Sequence, residues 1–345
     1  MIDIRSDTVT LPTDEMMKYI SGCDFGDDVF GEDHTVNELQ DHTAEMLGKE
    51  AALFVTSGTM GNQISLAINS QPGDEILVEE QAHIFYYETG APAILSRAQL
   101  RTVPSENGIM RPDDIKNAIR SDEYWFPRTT LICIENTHNR HGGKIIPLEN
   151  IQEISDLARE KGIKMHCDGA RLWHSCVETG ISLKEYCEPF DTVSVCLSKG
   201  MGAPVGSVIA GSKEKMQEAL RWRKILGGGM RQAGIVAGAA LYALKNNYDK
   251  LADTHNNARE FARILYESQH ISLDLKSVET NMVYFSIPED IPINDFISKL
   301  YKRNVRVIPV GGQNFRAVFH IQVSREETII AAKTIVELIN EIIQR

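Results

Sequence analysis

The 345-residue chain is 42% hydrophobic and carries 48 acidic against 36 basic residues, giving a formal net charge of −12 and a pI of about 5.4. No run of clustered Lys and Arg is present, which argues against a nucleic-acid or anionic-membrane surface and leaves any anionic ligand to a few placed cations and backbone amides. The length predicts one large domain and a smaller one.

The six cysteines, Cys23, Cys133, Cys167, Cys176, Cys187 and Cys196, form no C-x-x-C pair. This reads as reduced usage, with neither a zinc site nor a disulfide frame, and no metal is expected. The opening Met1-Ile-Asp-Ile-Arg-Ser-Asp7 is too polar for a signal peptide, and no apolar run approaches membrane-spanning length, so the expected location is the cytoplasm.

Taken in order, residues 1–30 are polar and rich in Gly and Asp and read as an extended N-terminal arm. Asp33 stands where an N-cap would, ahead of Val36, Leu39 and Leu47 on one helical face. Ala51 to Val55 is a short apolar run followed by Thr56-Ser57-Gly58-Thr59-Met60-Gly61 and a helical stretch to Asn69. Such a strand, turn and helix presents unpaired N–H groups and hydroxyls at a helix N-terminus, which suits a phosphate. For Ser57-Gly58-Thr59 alone, a plain N-cap with a tight turn is the better explanation of the residues. The spacing matches neither a nucleoside-triphosphate loop nor a dinucleotide fingerprint.

Strands are predicted at Glu75 to Glu79, Leu131 to Ile134, Ile163 to Cys167, Val193 to Leu197 and Ser207 to Ala210. Helices are predicted from Pro112 to Arg120, Leu148 to Lys161 and Ser212 to Ile225. His83 follows the first of these strands, Asp168 and Arg171 the third. Ser198-Lys199-Gly200 ends the fourth abruptly; by itself this reads as a solvated turn. The regular alternation predicts βαβ units and a mostly parallel sheet over residues 31–246. After helical stretches at 237–245 and 251–266 come Asn281 to Ile287, a helix from Asn294, Val305 to Val310, Phe315 to Val323 and a closing helix from Ser324. This pattern suits a small α+β domain, residues 247–345.

Ser57-Gly58-Thr59, His83, Asp168 and Lys199 thus all fall at strand ends, where open α/β sheets bind ligands. Together they meet the needs of pyridoxal 5′-phosphate: a lysine for a Schiff base, a carboxylate for the pyridine nitrogen, an anion nest for the phosphate and a flat ring to lie on the cofactor. The blocks Asp3-Ile-Arg-Ser-Asp-Thr-Val-Thr10, Gly26-Asp-Asp-Val-Phe-Gly-Glu-Asp33, Ser57-Gly-Thr-Met-Gly-Asn62, Glu135-Asn-Thr-His-Asn139, His166-Cys-Asp-Gly-Ala-Arg171, Cys196-Leu-Ser-Lys-Gly200, Ala203-Pro-Val-Gly-Ser207 and Gly227-Gly-Gly-Met-Arg-Gln232 carry a further signal. In these blocks the chain resembles the low-specificity L-threonine aldolase (L-allo-threonine aldolase) family over nearly its whole length.

The resemblance implies the large and small domains of the aspartate-aminotransferase type of pyridoxal-phosphate fold (fold type I) and retro-aldol cleavage of L-threonine or L-allo-threonine to glycine and acetaldehyde. It implies Lys199 as the cofactor lysine, Asp168 as the ring-nitrogen partner, Ser57, Gly58 and Thr59 at the phosphate, and His83 on the ring. Ser6, Arg171 and Arg316 would bind the substrate carboxylate, Arg171 with its planar fork. It also implies a homotetramer with sites shared between subunits, in which Arg231 crosses to a neighbour's phosphate.

Two positions depart from the family pattern: Trp125 stands where relatives carry a histidine near the β-hydroxyl, and Phe30 where tyrosine is common. An indole N–H donates but is no base, so His83, or a water beside it, is left to accept the hydroxyl proton. A sister β-eliminating lyase or aminotransferase would share the cofactor residues and differ in products.

Overall fold

The structure is a computed structural model and describes residues 1–344. The chain opens on a two-residue strand, β1 (Ile2–Asp3), and builds its main sheet from β2 (Ala51–Val55), β3 (Glu75–Glu79) and β4 (Gln99–Val103). A short hairpin follows, β5 (Ser105–Glu106) with β6 (Ile109–Met110). The sheet then takes in β7 (Thr129–Glu135), β8 (Lys164–Gly169), β9 (Thr192–Cys196) and β10 (Ser207–Gly211). The strand order is β2-β10-β9-β8-β7-β3-β4. All neighbours run parallel except β10, which is antiparallel to both β2 and β9. Strands β3, β9 and β10 are buried along their whole lengths, as expected of a parallel sheet covered by helices on both faces, and the polar residues within them, such as Glu75, Glu79 and Ser194, are buried too.

Local chemistry sets the helix ends. Asp33 caps Val36 and opens the helix His34–Leu47, and Ser57 caps Met60 and opens Gly58–Asn69. Gly162, at φ +66°, stops Leu148–Lys161 in the left-handed conformation that glycine adopts without steric cost. Ser324 and Glu327 form a capping box at the head of the last helix, Arg325–Ile343.

The C-terminal part carries a three-stranded antiparallel sheet of β11 (Met282–Ser286), β13 (Ile308–Gly311) and β14 (Asn314–Val318), in the order β11-β14-β13. Its own apolar core gathers Phe261, Phe285, Phe296, Phe315, Phe319 and Ile335. The helix Leu251–Tyr266 joins the halves, with Leu251 in the large core and Phe261 in the small one.

The N-terminal thirty residues differ from a free extended arm. β1 pairs in parallel with β12 (Val305–Arg306), Ile2 and Ile4 sit in the small core, and Asp14–Ser21 forms a helix against Gly234–Asn246. Burial of these few apolar residues offsets the polarity that suggested an arm, and the pairing carries Ser6 and Asp7 to the rim of the main sheet. The predicted run Val305 to Val310 is two strands parted at Val307, and the predicted Phe315 to Val323 strand ends at Val318. Strand β4 and the helices Leu172–Thr179 and Leu183–Cys187 carry no marker that the sequence reading used.

Candidate active site

Strand β9 ends beside the antiparallel β10, with the Leu197 N–H donating to Gly206 O at 3.1 Å, and the chain then turns at Ser198-Lys199-Gly200. Glycine is required after the lysine, because a Cβ on Gly200 would lie 2.4 Å from His174 Nε2. Lys199 is half-buried and makes no ion pair among the described residues, yet its charge lowers the pKa of two buried carboxylates, Asp168 and Asp7. The turn therefore aims an unpaired ammonium into an acidic, enclosed place. It is not the solvated turn that the local residues suggest.

Asp168 lies within β8 at its C-terminal end, next to β9, and is 3% exposed. Burial alone would push its pKa up, but His83, Lys199 and the Asn62 amide hold it below the ordinary carboxylate value. Asn62 stands one turn into the helix Gly58–Asn69. Its Oδ1 is 3.2 Å from His166 Nε2, and its Nδ2 donates to both Asp168 Oδ2 and Glu88 Oε1 at 2.8 Å. Burial pushes His166 down to about 4, so the ring is neutral; its Nδ1 lies 3.1 Å from Thr192 O and 2.9 Å from Thr192 Oγ1, and its Nε2 faces Asn62 Oδ1. The two carboxylates, which only accept, fix the amide nitrogen toward themselves and the amide oxygen toward His166.

His83 begins the short helix His83–Tyr86, its backbone N–H held by Glu135 Oε2 at 2.6 Å. Its Nδ1 faces the fully buried Glu88 at 3.0 Å. An ionised carboxylate only accepts, so Nδ1 carries the hydrogen and Nε2 is left free. Burial lowers the imidazole pKa, but Glu88, Asp168 and Glu135 outweigh it and raise it above the ordinary value.

Arg171 is buried and donates to Asp7 through Nε and Nη2 at 2.8 and 2.7 Å. The planar fork expected for a substrate carboxylate is thus occupied by Asp7, whose charge makes it the stronger partner in the dry interior, and only Nη1 turns elsewhere. Arg171 Nη1 and Arg316 Nη1 converge on Asn139 Oδ1 at 3.4 and 2.9 Å, and Arg316 Nε is buried without a partner. Tyr284 Oη donates to Asn139 O at 3.2 Å, while Glu135 Oε1 accepts the Asn139 N–H at 2.9 Å. Ser6 precedes Asp7 as a cap, accepting from Thr8 N and Thr8 Oγ1.

Ser57, Gly58 and Thr59 form the N-terminus of a twelve-residue helix next to the end of β9. A Cβ on Gly58 would lie 2.7 Å from Cys196 Sγ. The helix dipole and the unpaired N–H groups of this first turn favour an anion.

Two expected residues are not brought to this cluster within the chain. Arg231 is exposed, paired with Asp27 Oδ2 at 3.1 Å and set over the Phe30 ring at 5.8 Å. Trp125 is 63% exposed and packs edge-to-face on Tyr124 in the loop before β7, whereas the cluster gathers at the far end of that strand. A seven-residue strand spans about 20 Å, which separates Trp125 from its own chain's His83.

The beta-eliminating lyase family matches residues 3–288. The low-specificity L-threonine aldolase of Escherichia coli K12 is 40% identical over 95% of this chain and 96% of its own length. That of Saccharomyces cerevisiae is 39% identical over 94% of this chain and 83% of its own. The chain belongs to the beta-eliminating lyase family, among its low-specificity L-threonine aldolases. The Leishmania major threonine aldolase shares the fold, with a TM-score of 0.84 at 18% identity, covering 98% of this chain and 100% of that one.

In this chain the strand ends bring Lys199 and Asp168 into one electrostatic neighbourhood. Asp7, Asn62, Glu88, Glu135 and Asn139 join this cluster through hydrogen bonds to the expected residues and to one another, and none of them was expected there from the sequence. Asn62 follows Gly58 by four residues, hence on the same helical face, and Glu88 follows His83 by five. Those spacings were the available signals.

Proposed function

We propose that the chain is a pyridoxal-phosphate-dependent aldolase that cleaves the Cα–Cβ bond of L-threonine and L-allo-threonine, giving glycine and acetaldehyde. The observation that carries this reading is the meeting of the ionised, buried Asp168 with the unpaired Lys199, beside a helix N-terminus where Gly58 leaves no room for a side chain. These residues fit the cofactor: Lys199 would attach it, Asp168 would keep a proton on its ring nitrogen, Ser57, Gly58 and Thr59 would hold its phosphate, and His83 would lie against its ring. Bound there, pyridoxal phosphate supplies an electron sink conjugated to Cα.

The protein's own groups then select the reaction. The convergence of the two guanidiniums on Asn139 Oδ1 supports binding of the substrate carboxylate by Arg171 Nη1 and Arg316, with Ser6, next to Asp7, as a further donor. A carboxylate held there would fix rotation about the substrate's Cα bonds, which would select Cα–Cβ over Cα–H for cleavage. The free Nε2 of His83, backed by Glu88 on Nδ1, accepts the β-hydroxyl proton.

The exposed Arg231, Phe30 and Trp125 support a homotetramer in which Arg231 and Trp125 serve a neighbour's site. The absence of disulfides among six free cysteines supports a cytoplasmic location. Among the described residues no helix is long and apolar enough to cross a membrane.

The test is product analysis with the purified protein and pyridoxal phosphate on both diastereomers. Glycine and acetaldehyde in equal amounts are expected. Ammonia and a keto acid would instead make it a β-eliminating lyase in activity as well as family.

A further inference from the structure

A second cluster of ligand-type side chains lies at the end of β3, outside the set that holds cofactor and substrate. Glu79, the last residue of β3, faces His138 and His141 from the loop after β7, with one donor atom from each within 4.8 Å of the others. Glu79 Oε2 is 2.8 Å from His138 Nε2, and Glu79 Oε1 is 3.5 Å from His141 Nε2. Glu79 and His138 are buried, and the His141 side chain is 19% exposed. The two imidazoles meet edge-on at 4.7 Å between centroids. The hairpin of β5 and β6 closes over them at Gly108, where φ is +84° and a Cβ would lie 2.9 Å from either ring.

Three features distinguish this cluster from an ordinary buried hydrogen bond. His141 Nε2 is a buried nitrogen with no hydrogen-bond partner although it points at a carboxylate. His138 Nε2 carries its hydrogen toward Glu79 Oε2, and Nδ1 is likewise without a partner, so an ion at Nε2 displaces that proton and leaves Nδ1 as the protonated nitrogen. The carboxylate is oriented from behind: Ser105 Oγ donates to Oε1 at 2.7 Å and the Gln81 N–H to Oε2 at 2.6 Å. That is the outer-shell support that ligating carboxylates receive.

We propose that Glu79, His138 and His141 form a three-ligand site for a divalent transition-metal ion of the zinc class, with a fourth position open to water. Two imidazole nitrogens and one carboxylate oxygen suit Zn²⁺ or Co²⁺ and not the oxygen-seeking Mg²⁺ or Ca²⁺. Donors about 2.1 Å from a tetrahedral ion stand about 3.4 Å apart. His138 faces Glu79 Oε2 and His141 faces Oε1, and one donor atom from each residue lies within 4.8 Å of the others, so rotation of the carboxylate and of the imidazoles by about 1 Å closes the set on an ion. The partly exposed edge of His141 provides the entry path. The ion ties the end of β3 to the loop that carries Asn139, one residue beyond His138, and its role is structural.

The experiment is a Co²⁺ titration of the protein loaded with pyridoxal phosphate, read by the d–d absorption of cobalt, with displacement by Zn²⁺ and a parallel Mg²⁺ arm. One Co²⁺ per chain is expected in the wild type, displaced by Zn²⁺ and not by Mg²⁺, with a rise in thermal midpoint on Zn²⁺ addition. His141→Ala and His141→Ser should lose both signals. Ser105→Ala, which leaves all three ligands in place, should weaken binding about 10- to 100-fold. Folding of each variant is checked by its metal-free thermal midpoint. Equal Co²⁺ binding by wild type and both His141 variants would overturn the proposal, as would a wild type that takes up no ion.

Discussion

The Asp7 carboxylate grips the Arg171 guanidinium from Nε and Nη2, and both side chains are buried. The pair joins the N-terminal segment to the helix that follows β8, and leaves Arg171 one N–H edge for ligands. Asp7→Asn should leave a buried guanidinium without its counter-charge and cost about 3–5 kcal/mol, read from the urea midpoint. Burial opposes ionisation of Asp7, but Arg171, with help from Lys199 and His174, holds its pKa well below the ordinary carboxylate value. A depressed carboxylate contributes stability that is present above its unfolded pKa and is lost as pH falls through the folded one. The gap between wild type and Asp7→Asn should therefore stay constant from about pH 8 to pH 5. A gap that closes within that window would contradict the pairing.

His83 is the group whose charge state should govern the acid side of the pH–rate profile. Burial lowers its pKa, but Glu88, Asp168 and Glu135 raise it further, so it lies above the ordinary imidazole value. As a base, His83 must be neutral. Activity should accordingly fall as pH drops through that raised value, and Glu88→Gln should move the acid limb of kcat/KM to lower pH. If the limb does not move, His83 is not the base that the profile reports.

Gly58 predicts a paired experiment. A Cβ there meets Cys196 Sγ at 2.7 Å, and overpacking of this kind costs about 1–3 kcal/mol. Gly58→Ala should weaken pyridoxal-phosphate binding by about 5- to 150-fold in a fluorescence titration of the apoprotein. Adding Cys196→Ala should restore part of it, since the sulfur is the obstacle. No rescue would point to the backbone of the nest instead.

Mixed oligomers test whether Arg231 works across a subunit boundary. Lys199→Ala and Arg231→Ala proteins should each be inactive, or nearly so, alone. After dissociation and random reassembly, about a quarter of the sites should pair an intact Lys199 with a neighbour's intact Arg231, if sites are shared within two-fold dimers. Recovery of activity near that fraction is expected. None would mean that Arg231 acts within its own chain or not at all.

Trp125 is tested by Trp125→His, assayed on both diastereomers by coupled reduction of acetaldehyde. One hydrogen bond to the β-hydroxyl is worth about 0.5–1.5 kcal/mol, so the ratio of the two kcat/KM values should change by about 2- to 10-fold. An unchanged ratio would leave the exposed indole as surface packing.

By itself the sequence determined the alternation of strands and helices, because apolar periodicity and caps such as Asp33, Ser57 and Gly162 act over a few residues. It determined as well that Lys199, Asp168, His83 and Ser57-Gly58-Thr59 fall at strand ends, where the direction of a parallel sheet puts a ligand. Tertiary structure alone decided who faces whom. Asp7 and Arg171 are 164 positions apart, and only the pairing of β1 with β12 brings them together. Trp125, which the resemblance puts near the β-hydroxyl, stands before β7, at the end of that strand away from its own chain's cluster, because a strand carries its two ends to opposite edges of the sheet. Glu79, His138 and His141 belong to no spacing pattern, since their meeting depends on β3 and β7 being neighbours. Charge pairing and metal-type clustering are properties of distance in space, and sequence separation does not encode that distance until the sheet order is known.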